Sequence, residues 1–450
     1  MHLGNSWRYV LLVTLMATLA GVFAGTTASA QDSEDAVELG IFGQISFTDP
    51  DSDEDVPVPG VTIEVVGVGS TETDADGAFR IAVPEPGDYT VALDVETLPE
   101  GVNLRNPAGN PLETSVNPDR DRRVLFPVVF GDAEESTAGG ISVRRVAQLT
   151  AEGLKQGLYL AMAAIGLTLI FGTTGLVNFA HAELVSWGML ATYFFNFYGL
   201  AGVIGFLAPL PPPFGGGVNL VFAALLGMVS GAALGWLLNR FIFRGARRSG
   251  VSLIAQMVMT IGLSILLRYI FVYVFRGAPR GFGDFSAQRA ISLGPIELTP
   301  KDLVAMGLSV LILVGVASYL EMTRMGKAMR AVSDNRDLAE STGIDVERVI
   351  SLVWMSGAAL AAMSGVFFGL DQVKWDFGFR ILLLIFASVT LGGLGRPYGA
   401  LLGALVVGLT INLSTLFIDA EVKNMVALLM LALILLFRPQ GILGRAERIG

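Results

Sequence analysis

Long apolar stretches follow one another from residue 141 to the C-terminus, and this pattern constrains the fold more than any other feature. A helix needs about 20 apolar residues to cross the hydrocarbon core of a bilayer. Charged residues make up 16% of the chain, against about 25% in soluble proteins, so a single soluble domain is excluded. We expect a multi-pass α-helical membrane bundle of about eight spans plus a broken helix, with spans near residues 154–176, 182–208, 218–240, 251–275, 302–321, 349–370, 398–418 and 424–437 and a short run at 381–394.

The formal net charge of −10 conceals two segments of opposite sign. Residues 1–139 contain 24 acidic and 6 basic residues, a net of −18, whereas residues 140–450 contain 16 and 24, a net of +8. The chain therefore consists of an acidic N-terminal part and a basic, apolar remainder.

Basic residues mark the cytoplasmic side of a membrane protein. Here they lie in two loops and the tail: Arg240, Arg244, Arg247 and Arg248; Arg324, Lys327, Arg330, Arg336 and Arg348; and Arg438, Arg445 and Arg448. This predicts a plasma-membrane protein with a cytoplasmic tail, residues 441–450, and an extracytoplasmic N-terminal domain. The crossings agree only if 381–394 counts as a crossing, as a broken or tilted helix.

Residues 1–30 have the features of a signal peptide. Arg8 closes a short n-region, residues 9–24 are apolar, and Ala28, Ser29 and Ala30 fit a small-residue cleavage site. The alternative is an uncleaved anchor, because the apolar run is moderately long. In both cases the following residues lie outside the cytoplasm, and without cysteine they fold without disulfides.

Residues 38–131 have a hydrophobic pattern of period two, which is typical of strands. Alternating runs are separated by turn signals: 61–65, 79–83 and 89–93, with turns at 76–77 and 84–87. This predicts a small antiparallel all-β sandwich. Three stretches resemble the carboxypeptidase-regulatory-like family, which implies an accessory or binding module without chemistry of its own: 59–61, 73–79 and 86–89. Residues 132–145 have the composition of a linker.

Acidic residues crowd two loops of this domain, residues 49–55 and the pair Asp74 and Asp76. Carboxylate oxygens at such spacing suit calcium. No complete twelve-residue loop with a closing Glu is present, so a solvated acidic loop is the favoured interpretation. No metal site and no cofactor are predicted.

Two glycine-rich segments interrupt the apolar pattern in a way that packing does not require. Ionisable groups at membrane depth are costly and mark a path or site by default, and paired interruptions point to a transport site near the midplane. We expect the substrate path at Gly172, Gly175, Asn178, His181 and Glu183 in the first break, and at Gly392, Gly393 and Gly395 in the second. The alternatives are an interfacial loop with ordinary caps and a simple hinge.

The segment 322–348 is charged, helical in propensity and flanked by spans. Its residues 337–343 match, in degenerate form, the EAA…G loop of ABC importer permeases, in which a short helix on the membrane face docks into a partner ATPase. The expected coupling residues are Lys327, Arg330, Asp337, Ala339 and Gly343. Taken alone, the motif favours an ordinary solvated loop.

Together, these motifs closely resemble the branched-chain amino acid ABC permease family, the leucine/isoleucine/valine type. The matching segments follow the family's order: 166–172, 178–183, 330–332, 343–345, 391–395 and 438–444. The chain departs from the family at Ala182, where Gly is usual, and in its N-terminal domain. The resemblance implies a permease transmembrane domain over residues 146–440.

The resemblance also implies partners: cytoplasmic ABC ATPase subunits, a second homologous permease chain, an extracytoplasmic substrate-binding protein and the lipid bilayer, with no nucleic acid. No Walker A motif (GxxxxGK[ST]) occurs, so ATP hydrolysis belongs to a separate subunit. The implied cargo is leucine, isoleucine or valine, with urea, short amides and other amino acids as alternatives.

Two other classes of function compete with this one. A multi-pass envelope receptor would use the sandwich to bind a ligand, but it predicts a single anchor or an attached signalling domain. An intramembrane enzyme needs a nucleophile and base, or paired acids, inside the bundle. Cysteine is absent, His181 is the only histidine outside the signal peptide, and Glu183, Asp371 and Asp376 are scattered. The sequence favours a transporter subunit and not an enzyme.

Overall fold

The computed structural model describes most of the chain: residues 39–48, 55–85, 87–104, 110–116, 122–124, 126–130, 142–200, 202, 216–275, 280–285, 288, 290–419, 422–437 and 440–442. The predicted signal peptide 1–30, most of the linker 132–145, most of the acidic loop 49–55 and the tail beyond residue 442 lie outside the described residues. The chain divides into two compact units, one within residues 31–140 and one within residues 141–450.

The N-terminal unit consists of short strands. They are β1 (Gly40–Gln44), β2 (Ser46–Thr48), β3 (Asp55–Pro57), β4 (Thr62–Val65), β5 (Gly69–Glu72), β6 (Ala78–Ala82), β7 (Gly87–Leu93), β8 (Val102–Leu104), β9 (Leu112–Val116), β10 (Arg122–Arg123) and β11 (Val128–Phe130). A four-stranded antiparallel sheet has the order β5-β4-β7-β9, and a three-stranded sheet the order β10-β1-β6; β2 pairs with β3, and β8 with β11. The pairing of β1 with β10 is parallel, so the expectation of a purely antiparallel arrangement is wrong there.

Alternation along the strands explains the core of this unit. Ile63 and Val65 of β4 are buried while Glu64 between them is exposed, as a period of two requires. Ile41 of β1 and Ile81 of β6, from the three-stranded sheet, belong to the same apolar core. The predicted runs 61–65, 79–83 and 89–93 overlap β4, β6 and β7, with bounds that differ by one or two residues.

Asp74 has a structural role in the turn before β6. Its Oδ1 accepts hydrogen bonds from Asp76 N at 3.0 Å and Ala78 N at 2.8 Å, and Gly77 takes a left-handed conformation with φ +71°. The carboxylate thus stabilises a turn through backbone amides, as Asp commonly does.

The second unit is helical. Its helices are α1 (Val143–Thr174), α2 (His181–Tyr198), α3 (Leu220–Leu238), α4 (Arg244–Arg248), α5 (Leu253–Phe275), α6 (Pro300–Met322), α7 (Arg324–Asp334), α8 (Arg336–Ser341), α9 (Val346–Gly369), α10 (Phe377–Gly392), α11 (Pro397–Ser414) and α12 (Lys423–Phe437). A π-helical turn, Asn239–Phe243, joins α3 to α4, and a hairpin of β12 (Ile291–Leu293) and β13 (Ile296–Leu298) precedes α6.

Six helices in the described part of the chain are long and apolar enough to cross a membrane: α1, α3 with its extension to Arg248, α5, α6, α9 and α11. The apolar helices α10 and α12 are shorter, and α2 carries His181 and Glu183 in its first turn. The protein is therefore a multi-pass helical membrane protein.

Helices α1 and α9 form the centre of the bundle, and glycines allow their backbones to meet. A Cβ atom built on Gly166 would lie 2.5 Å from Gly357 O, and one built on Gly365 would lie 1.9 Å from Val185 O of α2. Gly231 and Gly235 of α3 face Ala362 and Ala358 of α9 in the same way. Close approach through small residues is how membrane helices gain van der Waals packing, so these glycines have a packing role in the bundle.

Helices α2 and α10 begin part-way along α1. The His181 ring Nε2 lies 3.0 Å from Ala163 O, and Ala163 precedes the end of α1 by 11 residues, or about 16 Å of helix. Gly378 N, at the start of α10, donates to Ser186 Oγ of α2 at 2.7 Å. The short run 381–394 is therefore a short helix, α10, that starts within the bundle.

Candidate functional site

The first predicted break joins α1 to α2. Gly175 caps α1 with φ +68°, and its N–H donates to Phe171 O at 2.7 Å, a left-handed cap that favours glycine. Asn178 then accepts a hydrogen bond from Ala180 N at its Oδ1, 3.0 Å away. The break is an ordered turn that brings the chain back into the bundle.

His181 and Glu183 follow this turn and are fully buried. Besides the His181 contact with α1, Glu183 Oε1 accepts a hydrogen bond from Ser264 Oγ of α5 at 3.0 Å. Within the described part of the chain, His181 Nδ1, Glu183 Oε2 and Asn178 Nδ2 have no hydrogen-bond partner. Buried polar atoms without a partner are rare and costly. The two side chains tie α2 to its neighbours, and their role in a substrate path stays a prediction.

The second predicted break is the turn between α10 and α11, where Gly393 and Gly395 have φ +104° and +80°. A Cβ atom built on Gly392 would lie 2.0 Å from Gly399 O, and one built on Gly172 would lie 3.6 Å from Gly395 Cα. The structure thus brings the two breaks together. We call Gly172, Gly392, Gly395 and Gly399 the glycine junction.

The described end of the chain also lies against this turn. Ile442 N donates to Leu391 O at 2.7 Å, and a Cβ atom built on Gly441 would lie 2.5 Å from Gly393 N. The residues after α12 therefore hold the end of α10 in place.

The predicted coupling segment forms two helices, α7 and α8. Thr323 Oγ1 accepts a hydrogen bond from Gly326 N and Asn335 Oδ1 accepts one from Leu338 N, both at 2.9 Å, so each helix has a side-chain N-cap. Lys327, Arg330, Asp337 and Gly343 are exposed, whereas Ala339 is buried. Ala339 therefore packs α8 against the bundle and does not present a docking surface.

Helix α7 reaches the glycine junction. A Cβ atom built on Gly172 would lie 2.9 Å from Ser333 Oγ, and Ser333 belongs to the last turn of α7. The coupling segment and the two breaks, predicted as separate features, are therefore contiguous.

Glu347 of α9 is paired with three arginines. Its carboxylate lies 3.2 Å from Arg244 Nε, 3.3 Å from Arg247 Nη2 and 3.5 Å from Arg336 Nη2. Arg336 begins α8, and Arg247 also donates to Asn239 Oδ1 at 2.8 Å in the π-helical turn. A π-helical turn inside a helix often marks a functional site. Glu347 thus connects the coupling segment to the end of α3.

Glu347→Gln is expected to lower the free energy of unfolding by about 1–3 kcal/mol, because it removes a charge that pairs with three arginines and accepts hydrogen bonds from two of them, Arg247 and Arg336. Thermal unfolding of the detergent-solubilised chain measures the change. Glu340→Gln is the matched control, since Glu340 is exposed on α8 and has no ion pair in the described part of the chain. Equal unfolding midpoints for the two variants would contradict the role of Glu347.

Two cavities open among the described helices. One of about 480 Å³ has apolar walls from α1, α3, α6, α7 and α9, including Tyr319 and Met329. The other, of about 340 Å³, has polar and charged residues: Glu152, Lys155, Gln156, Tyr159, Asp371, Arg380, Asn412, Lys423 and Asn424. None of the predicted path residues lines either cavity. Sequence reasoning missed the second cavity, although charges flanking apolar spans, such as Lys155 and Asp371, were a signal.

Comparison with known proteins shows to which family the chain belongs. The family model described as "Branched-chain amino acid transport system / permease component" matches residues 149–436. The chain belongs to this permease family. The match covers the bundle, the glycine junction and the coupling segment, so the resemblance inferred from the motifs is confirmed.

Individual permeases of known role are similar over the same region. The high-affinity branched-chain amino acid transport system permease protein LivH of Escherichia coli is 31% identical over 304 residues, covering 66% of this chain and 94% of LivH. BraD of Pseudomonas aeruginosa, a permease protein of the same description, is 28% identical over 308 residues, covering 67% of this chain and 96% of BraD. The ribose import permease protein RbsC of E. coli is 24% identical over 276 residues, covering 58% of this chain and 75% of RbsC.

No solved structure matches the chain. The relatives are transporter permeases and not enzymes, which favours the transporter interpretation over the intramembrane enzyme and the envelope receptor.

Proposed function

We propose that the chain is the transmembrane permease subunit of an ABC importer that moves branched-chain amino acids across the plasma membrane. The observation that carries this proposal is the contact of α7 with the glycine junction through Ser333. A force applied to the exposed coupling helices reaches the junction of α1, α10 and α11 through that contact. The family match over residues 149–436 supports the same function.

In this mechanism a separate ATPase docks on the exposed side of α7 and α8. Its movement reaches the bundle by two routes, through Ser333 to the glycine junction and through Arg336 and Glu347 to α9. At the junction, backbones touch without side chains between them, so they separate or close without repacking a core. Substrate passes the two breaks at Gly172, Gly175, Asn178, His181, Glu183, Gly392, Gly393 and Gly395.

The proposed topology has eight spans, of which α2 starts within the bundle, and one broken helix. Helices α1, α2, α3, α5, α6, α9, α11 and α12 cross, and α10 supplies the partial crossing. Nine crossings in total put the N-terminal domain outside and the tail inside. Three crossings precede α4 and five precede α7–α8, so the arginines of α4 and the coupling segment lie together on the cytoplasmic side, as the positive-inside rule requires.

The proposed partners are ATPase subunits, a second homologous permease chain and an extracytoplasmic binding protein that delivers substrate. Residues 1–30 are a signal peptide, residues 38–131 an accessory β-sandwich and 132–142 a linker, shorter than the expected 132–145 because α1 begins at Val143; residues 143–440 are the permease domain and 441–450 the tail. The sandwich docks the binding protein or tethers the transporter to the envelope.

Deleting residues 38–131 is expected to leave uptake intact when the binding protein is in excess.

Uptake into proteoliposomes tests the cargo. The complete importer is expected to accumulate radiolabelled leucine in the presence of ATP, and unlabelled isoleucine and valine are expected to compete. Urea, acetamide and ribose serve as controls for the alternative cargoes and are expected not to compete. Uptake of one of these controls without uptake of leucine would replace the proposed cargo.

A further inference from the structure

The cavity of about 340 Å³ lies at the end of the bundle opposite to the coupling segment. Lys155 lines it, and Lys155 precedes Gly172 by 17 residues along α1, or about 25 Å of helix. Its volume falls in the range of about 300–1,000 Å³ that is usual for small-molecule pockets. Lys155 and its partner Asp302 are largely buried at this end of the bundle, and buried ionisable side chains in a helical membrane bundle mark a functional site by default.

The cavity offers charges of both signs. Lys155 Nζ lies 3.2 Å from Asp302 Oδ1 and 3.8 Å from Asp371 Oδ2. Glu152, whose Oε1 accepts a hydrogen bond from Gln148 Nε2 at 3.0 Å, supplies a second lining carboxylate. Lys423 lines the cavity as well and has no ion pair to another described residue.

The walls between these charges are apolar. Phe368, Phe377, Ile381 and Leu384 line the same cavity. An aliphatic side chain gains about 25 cal/mol for each Å² that it buries against such walls. A small molecule with one apolar group and two opposite charges therefore complements this lining.

Tyr159 gives an independent indication of a ligand. It lines the cavity and is only 2% exposed, and its ring packs against Phe367 and Phe368 with centroids 5.4 Å away in each case. Among the described residues its hydroxyl has no hydrogen-bond partner. Buried tyrosine hydroxyls usually find a partner, so a carboxylate in the cavity would supply the missing acceptor.

From this geometry we propose that the cavity is a binding site for a zwitterionic amino acid with an aliphatic side chain. The carboxylate accepts the hydrogen bond of Tyr159 and faces Lys423, the ammonium group faces Glu152 and Asp371, and the side chain lies against Phe377 and Leu384. The proposal rests on the proposed function and adds to it a receiving site remote from the glycine junction.

Equilibrium binding to the purified permease–ATPase complex in nanodiscs, without the binding protein, tests the site. Radiolabelled L-leucine is expected to bind. Three competitors each lack one group: L-leucinamide the carboxylate, 4-methylpentanoate the ammonium group and glycine the aliphatic side chain. Each is expected to compete with leucine at least about tenfold more weakly, because a buried polar group of the site is left unpaired or its apolar wall is left without a contact. Equal competition by leucinamide or 4-methylpentanoate would overturn the proposal.

Tyr159→Phe removes only the hydroxyl and is expected to weaken leucine binding about tenfold. Tyr319→Phe is the matched control, because Tyr319 lines the apolar cavity, and it is expected to leave binding unchanged. Unchanged affinity in Tyr159→Phe would refute the site. If the importer accumulates leucine in proteoliposomes but the permease–ATPase complex in nanodiscs binds no leucine, the cavity proposal fails and the proposed function stands. If the importer accumulates neither leucine, isoleucine nor valine, the proposed function fails.

Discussion

Gly392→Ala is expected to destabilise the bundle by more than about 3 kcal/mol, at the upper end of what overpacking costs, and to abolish uptake. The added Cβ atom would lie 2.0 Å from Gly399 O and 2.1 Å from Gly399 C. Both atoms belong to the backbone of α11, so no rotamer change relieves the overlap. The turn between α10 and α11 must open, and the glycine junction opens with it. Thermal unfolding in detergent and leucine uptake measure the two effects.

Gly307→Ala is the matched control for this substitution. Gly307 lies in the apolar helix α6, and a Cβ atom built there meets nothing within 4 Å. Alanine favours the helix over glycine by about 1 kcal/mol, so the control is expected to be as stable as the original chain or slightly more so, with full uptake. Equal stability of Gly392→Ala and Gly307→Ala would contradict the close backbone contact at the glycine junction.

Gly343→Arg is expected to reduce uptake at least tenfold and to prevent the ATPase from co-purifying. Gly343 has φ +86° at the end of the coupling segment, and forcing a residue with a side chain into this conformation costs about 1–2 kcal/mol. The large side chain also changes the exposed surface proposed to receive the ATPase. A Cβ atom there meets nothing within 4 Å, so the bundle itself is expected to stay folded.

Gly245→Arg separates this effect from the mere addition of a positive charge. Gly245 lies in α4, where a Cβ atom also meets nothing within 4 Å and the backbone is helical. The control is expected to retain both the ATPase and uptake. If Gly343→Arg retained them as well, residues 337–343 would not be the coupling segment.

The helices of the bundle were predictable from the sequence because membrane spans leave a strong local signal. The stretches 251–275, 302–321 and 424–437 differ from α5, α6 and α12 by no more than two residues at either end. Helix α1 begins at Val143, 11 residues before the predicted 154, because Ser142 caps it ahead of the polar residues Arg144 and Arg145. Apolarity alone does not detect such a polar first part of a helix.

The site was predictable only in part. Gly172 and Gly395 could be singled out as interruptions, but their meeting depends on how α1 packs against α10 and α11, which a local pattern does not contain. The polar cavity was missed for the same reason, since Lys155, Asp371 and Lys423 come from distant parts of the chain. His181 and Glu183 were predicted to lie at the substrate path, and the structure shows them buried against Ala163 and Ser264.

ATP hydrolysis by the reconstituted importer tests the central claim most directly. The permease is purified with its ATPase and partner permease, placed in proteoliposomes and supplied with the binding protein, with and without leucine. We expect leucine-loaded binding protein to stimulate ATP hydrolysis by the complex and Gly343→Arg to remove the stimulation. A rate that is independent of leucine, isoleucine and valine, or an ATPase that never associates with the chain, would contradict its role as the permease of a branched-chain amino acid importer.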